Sequence, residues 1–103
     1  MARGLNSVNL LGQVVDLPQV ASGRCVVRIA VARLRDLDGY PEPGVIYVDI
    51  LAIGRQVDQC AQLTVGSRVG VTGRLEAGPQ GVRPTAGDMA FRILIEQIEI
   101  LDQ

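Results

Sequence analysis

Apolar and polar positions alternate with period two in several stretches of the chain, the spacing of strands with one buried face. Residues 6–15 read N-S-V-N-L-L-G-Q-V-V, with Val8, Leu10 and Gly12 on one face and Asn9 and Leu11 on the other. In 24–32, Cys25, Val27, Ile29 and Val31 alternate with Arg24, Val26, Arg28 and Ala30. Residues 45–53 have no breaker and are rich in Val, Ile and Tyr, a strand composition. Their parity sets Ile46, Val48, Ile50 and Ala52 toward the core and Tyr47, Asp49, Leu51 and Ile53 away from it. Gly54 ends that strand. Residues 55–63 change period: Val57, Cys60 and Ala61, with Gln62 or Leu63, mark the inner stripe of a short helix. After the turn at 65–67, residues 68–75 alternate again, with Val69, Val71, Gly73 and Leu75 on one face. Residues 91–101 have helix-favouring Leu, Glu and Gln, but Ile93, Ile95, Ile98 and Ile100 predict a bulged closing strand. Gly and Pro punctuate 35–44 and 78–87, which read as a polar loop and a hairpin tip.

Five strands with one short helix between the third and fourth form an all-β chain. That order predicts a five-stranded oligonucleotide-binding (OB) barrel plugged by its helix. Gly12 inside the first strand marks a bend or a close backbone approach, as barrel corners need.

The 103 residues suffice for a single domain spanning 1–103. A chain of this size buries roughly two thirds of its unfolded surface. With 48% hydrophobic and 20% charged residues it is not a disordered chain. No run is long enough to span a membrane and the N-terminus lacks an apolar signal core, so the expected location is the cytoplasm. Cys25 and Cys60 stand in a chain without His and read as buried, reduced thiols; no metal site is expected. No nucleophile–base pair, paired carboxylate set or phosphate loop stands out, so no enzyme, catalytic residue or cofactor is expected. Net charge is −1, but residues 1–35 carry five Arg against Asp16, and 36–62 carry five acids against Arg55. All ten basic residues are Arg, the side chain that forks onto phosphates and stacks on bases.

Four stretches together resemble the bacterial single-stranded-DNA-binding protein family. They are A-R-G-L-N-S-V-N-L-L-G-Q-V at 2–14, I-A-V-A at 29–32, Y-V-D-I-L-A-I-G-R at 47–55 and G-S-R-V-G-V-T-G-R-L at 66–75. E-Q-I-E-I-L-D at 96–102 also resembles the smaller primosomal replication protein N. The resemblance implies sequence-independent binding of single-stranded DNA in replication, recombination or repair, by stacking bases on aromatics and tracking phosphates with basic residues. It sets Tyr47 at a stacking Trp of the third strand, Arg55 at the basic residue after the closing Gly, and Arg3 at the basic residue of the N-terminal motif. Ile53 departs from the family's aromatic, and Asp49 stands where the family can carry a basic residue. The family also has a long tail with an acidic recruiting tip. This sequence stops at Leu101-Asp102-Gln103, so that recruiting function is expected to be absent.

Candidate DNA-contacting residues are therefore Tyr47, with Arg55 and Arg74 expected to flank the same groove. Arg3, Arg28, Arg33, Arg35, Arg83 on the hairpin tip and Tyr40 in the polar loop complete the set. A face carrying Tyr47, Leu51 and Ile53 is either a ligand platform or a subunit interface. Leu11 and Val15, expected to lie outward beside Leu51 and Ile53, together with the family likeness, predict a homo-oligomer, dimer or tetramer. The alternative is an OB-fold protein-interaction subunit, primosome-like or structural, with weak or no DNA binding; Asp49 and only three aromatic residues favour it.

Overall fold

The computed structural model describes residues 5–37, 39–78 and 91–102, and for 33–37 and 40–42 the backbone alone. The elements are β1 (Val8–Val14), β2 (Gln19–Ala21), β3 (Arg24–Leu37), β4 (Tyr40–Ile53), α1 (Gln56–Ala61), β5 (Arg68–Ala77) and β6 (Phe91–Asp102). Five strands close a barrel in the order β1-β5-β6-β4-β3, and β3 returns to β1 through Gln13↔Ala30 and Val14↔Ile29. β4 and β6 run parallel, with Asp49 opposite Arg92; the other pairs are antiparallel. β2 is an addition at the end of β3, pairing Val20 with Cys25. Three residues are too few to show a period, so the alternation does not predict it. The helix expected after the third strand therefore follows the fourth.

The expected polar loop at 35–44 is mostly strand. β3 and β4 stay in register from Arg24↔Ile53 out to Leu37↔Tyr40. Pro41 and Pro43 cost no ladder bond on the far side, because β6 pairs with β4 only at 49–51. Proline is tolerated on such an edge. Asp38-Gly39 in the sequence is a two-residue hairpin signal, and Gly39 has φ 82°. The same geometry corrects Ile46. Val45 and Ile46 are both exposed although they face opposite ways, because here the hairpin arm runs beyond the barrel wall.

The core lies between the strands and α1. Val14, Cys25, Val27, Ile29, Ile50, Val69, Val71, Ile93 and Ile95 fill it, and Cys60 and Leu63 enter from the helix end with Val57 packed against them. Both cysteines are free and buried. β1 turns from β5 to β3 at Gln13, which pairs with both Arg68 and Ala30. Gly12 precedes that corner, where a Cβ would lie 3.0 Å from the Ala30 carbonyl oxygen. β6 bulges at Glu96, opposite the Thr72–Gly73 step of β5, and a Cβ on Gly73 would collide with the Leu94 carbonyl oxygen. The turn before β5 is tied to β1: the Val14 amide donates to the Ser67 carbonyl at 2.8 Å and the Gly66 amide to the Val14 carbonyl at 2.8 Å.

Candidate nucleic-acid interface

Residues facing out of the barrel on β3, β4, β6 and β5 fall into rows set by the strand register. The first row pairs Tyr47 with Ala30. The next is charged throughout, with Arg28, Asp49, Arg92 and Glu76 side by side on the four strands. A third row runs Val26, Leu51, Leu94, Arg74. Ile53 and Arg24 lie beyond it.

Asp49 takes a bidentate grip from Arg28. Nε donates to Oδ1 at 2.8 Å and Nη2 to Oδ2 at 3.3 Å. Arg28 is thus the ion-pair partner of Asp49. One expectation is corrected: Asp49 and Leu51 are not on an open face, being 7% and 6% exposed. Their neighbours in each row, on strands adjacent through register, wall them in.

Arg92 sits on the other side of Asp49, and its Nε is buried without a hydrogen-bond partner. Together Arg28, Asp49 and Arg92 line a cleft of about 320 Å³, with Val26, Gln19 and Asp16 also on its walls. Asp49 is committed to Arg28 and Asp16 is exposed, so two Arg and two Asp leave the cleft close to neutral. Sequence reading passed over Arg92. Its place on an outward row was legible from the alternation of 91–95, but not its register opposite Asp49.

Tyr47 is 55% exposed and shares its face with Asp49, two residues or about 6–7 Å along the strand. It also borders an apolar groove of about 360 Å³ at the barrel mouth, lined by Val8, Leu10, Leu75, Phe91 and Ile93. The Asn6 side chain holds Leu75 at this mouth, accepting from its amide at 2.7 Å and donating to its carbonyl at 2.9 Å. Phe91 is 60% exposed. The sequence marks it only as the first residue of the closing strand, and its place on the same groove as Tyr47 is a matter of tertiary structure.

The remaining candidates are spread out. Arg74 is exposed on β5 in the row of Leu51, next to Leu75 of the groove. Arg55 does not flank that groove. It is exposed at the start of α1, past Ile53, which is itself six residues or about 20 Å from Tyr47. Arg3 and Arg83 lie outside the described residues. Arg33 and Arg35 fall on β3 and Tyr40 on β4, where only the backbone is described. Leu11 is exposed but lies on β1 opposite Gly70 of β5, away from Leu51 and Ile53, which separates the two surfaces expected to adjoin.

No family model and no curated protein matches the sequence. Solved structures do match in fold. A small single-stranded DNA-binding protein from Streptomyces coelicolor superposes with a TM-score of 0.67 at 22% identity, over 91% of this chain and 92% of that one. The Plasmodium falciparum protein in complex with single-stranded DNA gives 0.73 at 17% identity, over 100% and 98%. The wild-type single-stranded DNA binding protein of Thermus aquaticus gives 0.70 at 26% identity over 98% of this chain, which spans about half (52%) of that longer one. The chain thus has the fold of the single-stranded-DNA-binding proteins.

Proposed function

We propose that the chain binds single-stranded DNA without regard to sequence, in replication, recombination or repair, through the outer face of β3, β4 and β6. The observation that carries this reading is the exposed ring of Tyr47 on the outward rows that also hold the half-buried Arg28 and Arg92, which line the neighbouring cleft. Phosphates of a passing strand take the guanidinium donors and a base stacks on Tyr47. Arg24 and Arg74, exposed at the edges of the same face, extend the basic track. Stacking accepts every base because every base has a π-face. Assembly as a homo-oligomer, dimer or tetramer, belongs to the same reading. It is supported by the exposed Leu11, which lies opposite Gly70 on the β1–β5 surface.

The pairing of Arg28 with Asp49 favours a second reading, a protein-interaction subunit, because it removes charge from the centre of the face. Titration of a labelled oligo-dT at several salt concentrations separates the two. Binding that weakens linearly in log–log salt is expected. No binding at low salt would leave the protein-interaction reading alone.

A further inference from the structure

β1 and β5 pair from Gln13↔Arg68 up to Val8↔Gly73. Continuing that register by two residues sets position 6 opposite Leu75. The strand itself does not reach so far, since β1 begins at Val8. The Asn6 side chain takes its place: Oδ1 accepts from the Leu75 amide at 2.7 Å and Nδ2 donates to the Leu75 carbonyl at 2.9 Å. A side-chain amide carries the donor and the acceptor of a peptide group, so Asn6 supplies both bonds of one further rung. Beyond Gly73, β5 has β6 on one side, through Arg74↔Leu94, Leu75↔Ile93 and Glu76↔Arg92. Among the described residues no strand pairs with 74–77 on the other side, and Asn6 holds that edge. Leu75 turns toward the apolar groove, and Arg74 the opposite way, onto the outward face in the row of Leu51 and Leu94. Asn6, Arg74 and Leu75 are all exposed, so water would satisfy the Leu75 amide and carbonyl if Asn6 let go. The clamp therefore adds little to the stability of the fold. Its effect is on direction: without this rung the end of β5 is held from β6 alone, and the backbone that aims Arg74 gains freedom.

We propose that Asn6 is a positioning residue for nucleic-acid binding, which clamps the Leu75 backbone and so holds the Arg74 guanidinium on the face that the strand crosses. This rests on the single-stranded-DNA reading. Asn6 itself touches no nucleotide; it acts through Arg74, which makes no ion pair among the described residues. A long side chain loses less freedom on meeting a phosphate when the backbone beneath it is already fixed. The residue that fixes it lies 69 positions away in the sequence.

Asn6→Ala, Arg74→Ala and the double variant are titrated with labelled oligo-dT at four salt concentrations, and hydrogen exchange of the Leu75 amide is followed by NMR. In Asn6→Ala the Leu75 amide is expected to exchange faster while the melting temperature hardly moves. Oligo-dT affinity is expected to fall roughly 2- to 5-fold, the worth of one exposed charge contact. The log–log salt slope is expected to shrink by up to about 0.7, one phosphate contact to a single strand. The double variant is expected to bind as Arg74→Ala does, because the two residues act as one unit. If Asn6→Ala frees the Leu75 amide and leaves affinity and slope intact, the clamp is structural only, and the inference falls while DNA binding stands. If the two losses add in the double variant, Asn6 acts by a route other than Arg74 and the inference falls. An unchanged exchange rate, or a large drop in melting temperature, also overturns it: the first removes the clamp, the second makes Asn6 a folding residue. If wild-type protein binds no oligo-dT at low salt, the inference falls together with the reading beneath it.

Discussion

Replacing Asp49 with asparagine removes one charge from the middle of the charged row and keeps the volume of the side chain. Arg28 loses the carboxylate it grips at 2.8 and 3.3 Å, and Arg92 is left across from Arg28 with no anion between them. Breaking a buried pair costs about 3–5 kcal/mol, and a hydrogen bond to a charged group contributes about 1.5–3 kcal/mol. The Arg28 side chain is 29% exposed and that of Asp49 10%, so solvent screens part of the loss. A cost of about 2 kcal/mol follows. A domain of this size loses about 4–8 °C of Tm per kcal/mol, so Tm falls by about 8–16 °C. The protein stays folded, given typical stabilities of about 5–15 kcal/mol. DNA binding moves the other way, because a phosphate can take the place of the lost carboxylate. One added phosphate contact steepens the log–log salt slope by about 0.7, or about 2.6-fold more affinity lost over a fourfold rise in salt. Oligo-dT affinity at low salt rises, and bound oligonucleotide recovers part of the lost Tm. The assays are calorimetric melting with and without oligo-dT, and fluorescence titration at four salt concentrations. A lower Tm with unchanged affinity and slope would put the DNA path off this face. An unchanged Tm would mean that the Arg28–Asp49 pair contributes nothing measurable to stability.

Tyr47→Ala weakens oligo-dT binding by about 1–3 kcal/mol and changes stability by no more than about 0.5 kcal/mol, as an exposed ring should; a large fall in Tm with intact binding would make the ring structural. Gly73→Ala lowers stability by at least about 1–3 kcal/mol, because the atom in the way is the Leu94 backbone carbonyl, whereas Gly70→Ala, with open space at its Cβ, changes it little; equal melting curves for the two would contradict the bulge geometry. Burial, and then the neighbouring Cys25, push the Cys60 thiol up to about 11 from 9.0. The folded state therefore holds its proton longer than the unfolded chain, so this contribution is full below pH 9 and is lost as pH rises from about 9 to 11. Urea unfolding at pH 8 and pH 10.5 reads it, and replacing Cys60 with alanine flattens the difference. Iodoacetamide at pH 8 leaves both thiols unmodified in native protein and modifies them in urea, the behaviour of buried cysteines; rapid native labelling would show that the helix end opens.

Much of the barrel is legible along the chain because a strand with one buried face must alternate, and the alternation needs no knowledge of partners. It orders Cys25, Val27, Ile29, Ile50 and Ala52 inward, turns Tyr47 outward and marks the helix between Gly54 and the 65–67 turn. The bulged strand at 91–102 follows from its isoleucine spacing, and Gly12 from the need for a bend. The polar composition of 35–44 hides a hairpin, since two prolines argue against a strand until it is known that, among the described residues, this part of β4 has a partner on one side only. What alternation leaves open is which residues of different strands share a row, for that depends on register. Arg28 and Asp49 are 21 residues apart, and Arg92 joins them only through the parallel β4–β6 pairing. Phe91 comes to border the same groove as Tyr47 through the strand pairing of the barrel. Parity decides the face of each side chain from local backbone geometry. The company it keeps there is decided by hairpins, bulges and barrel closure, which is why the ion pair at the centre of the face and the two-ring groove beside it belong to the tertiary structure alone.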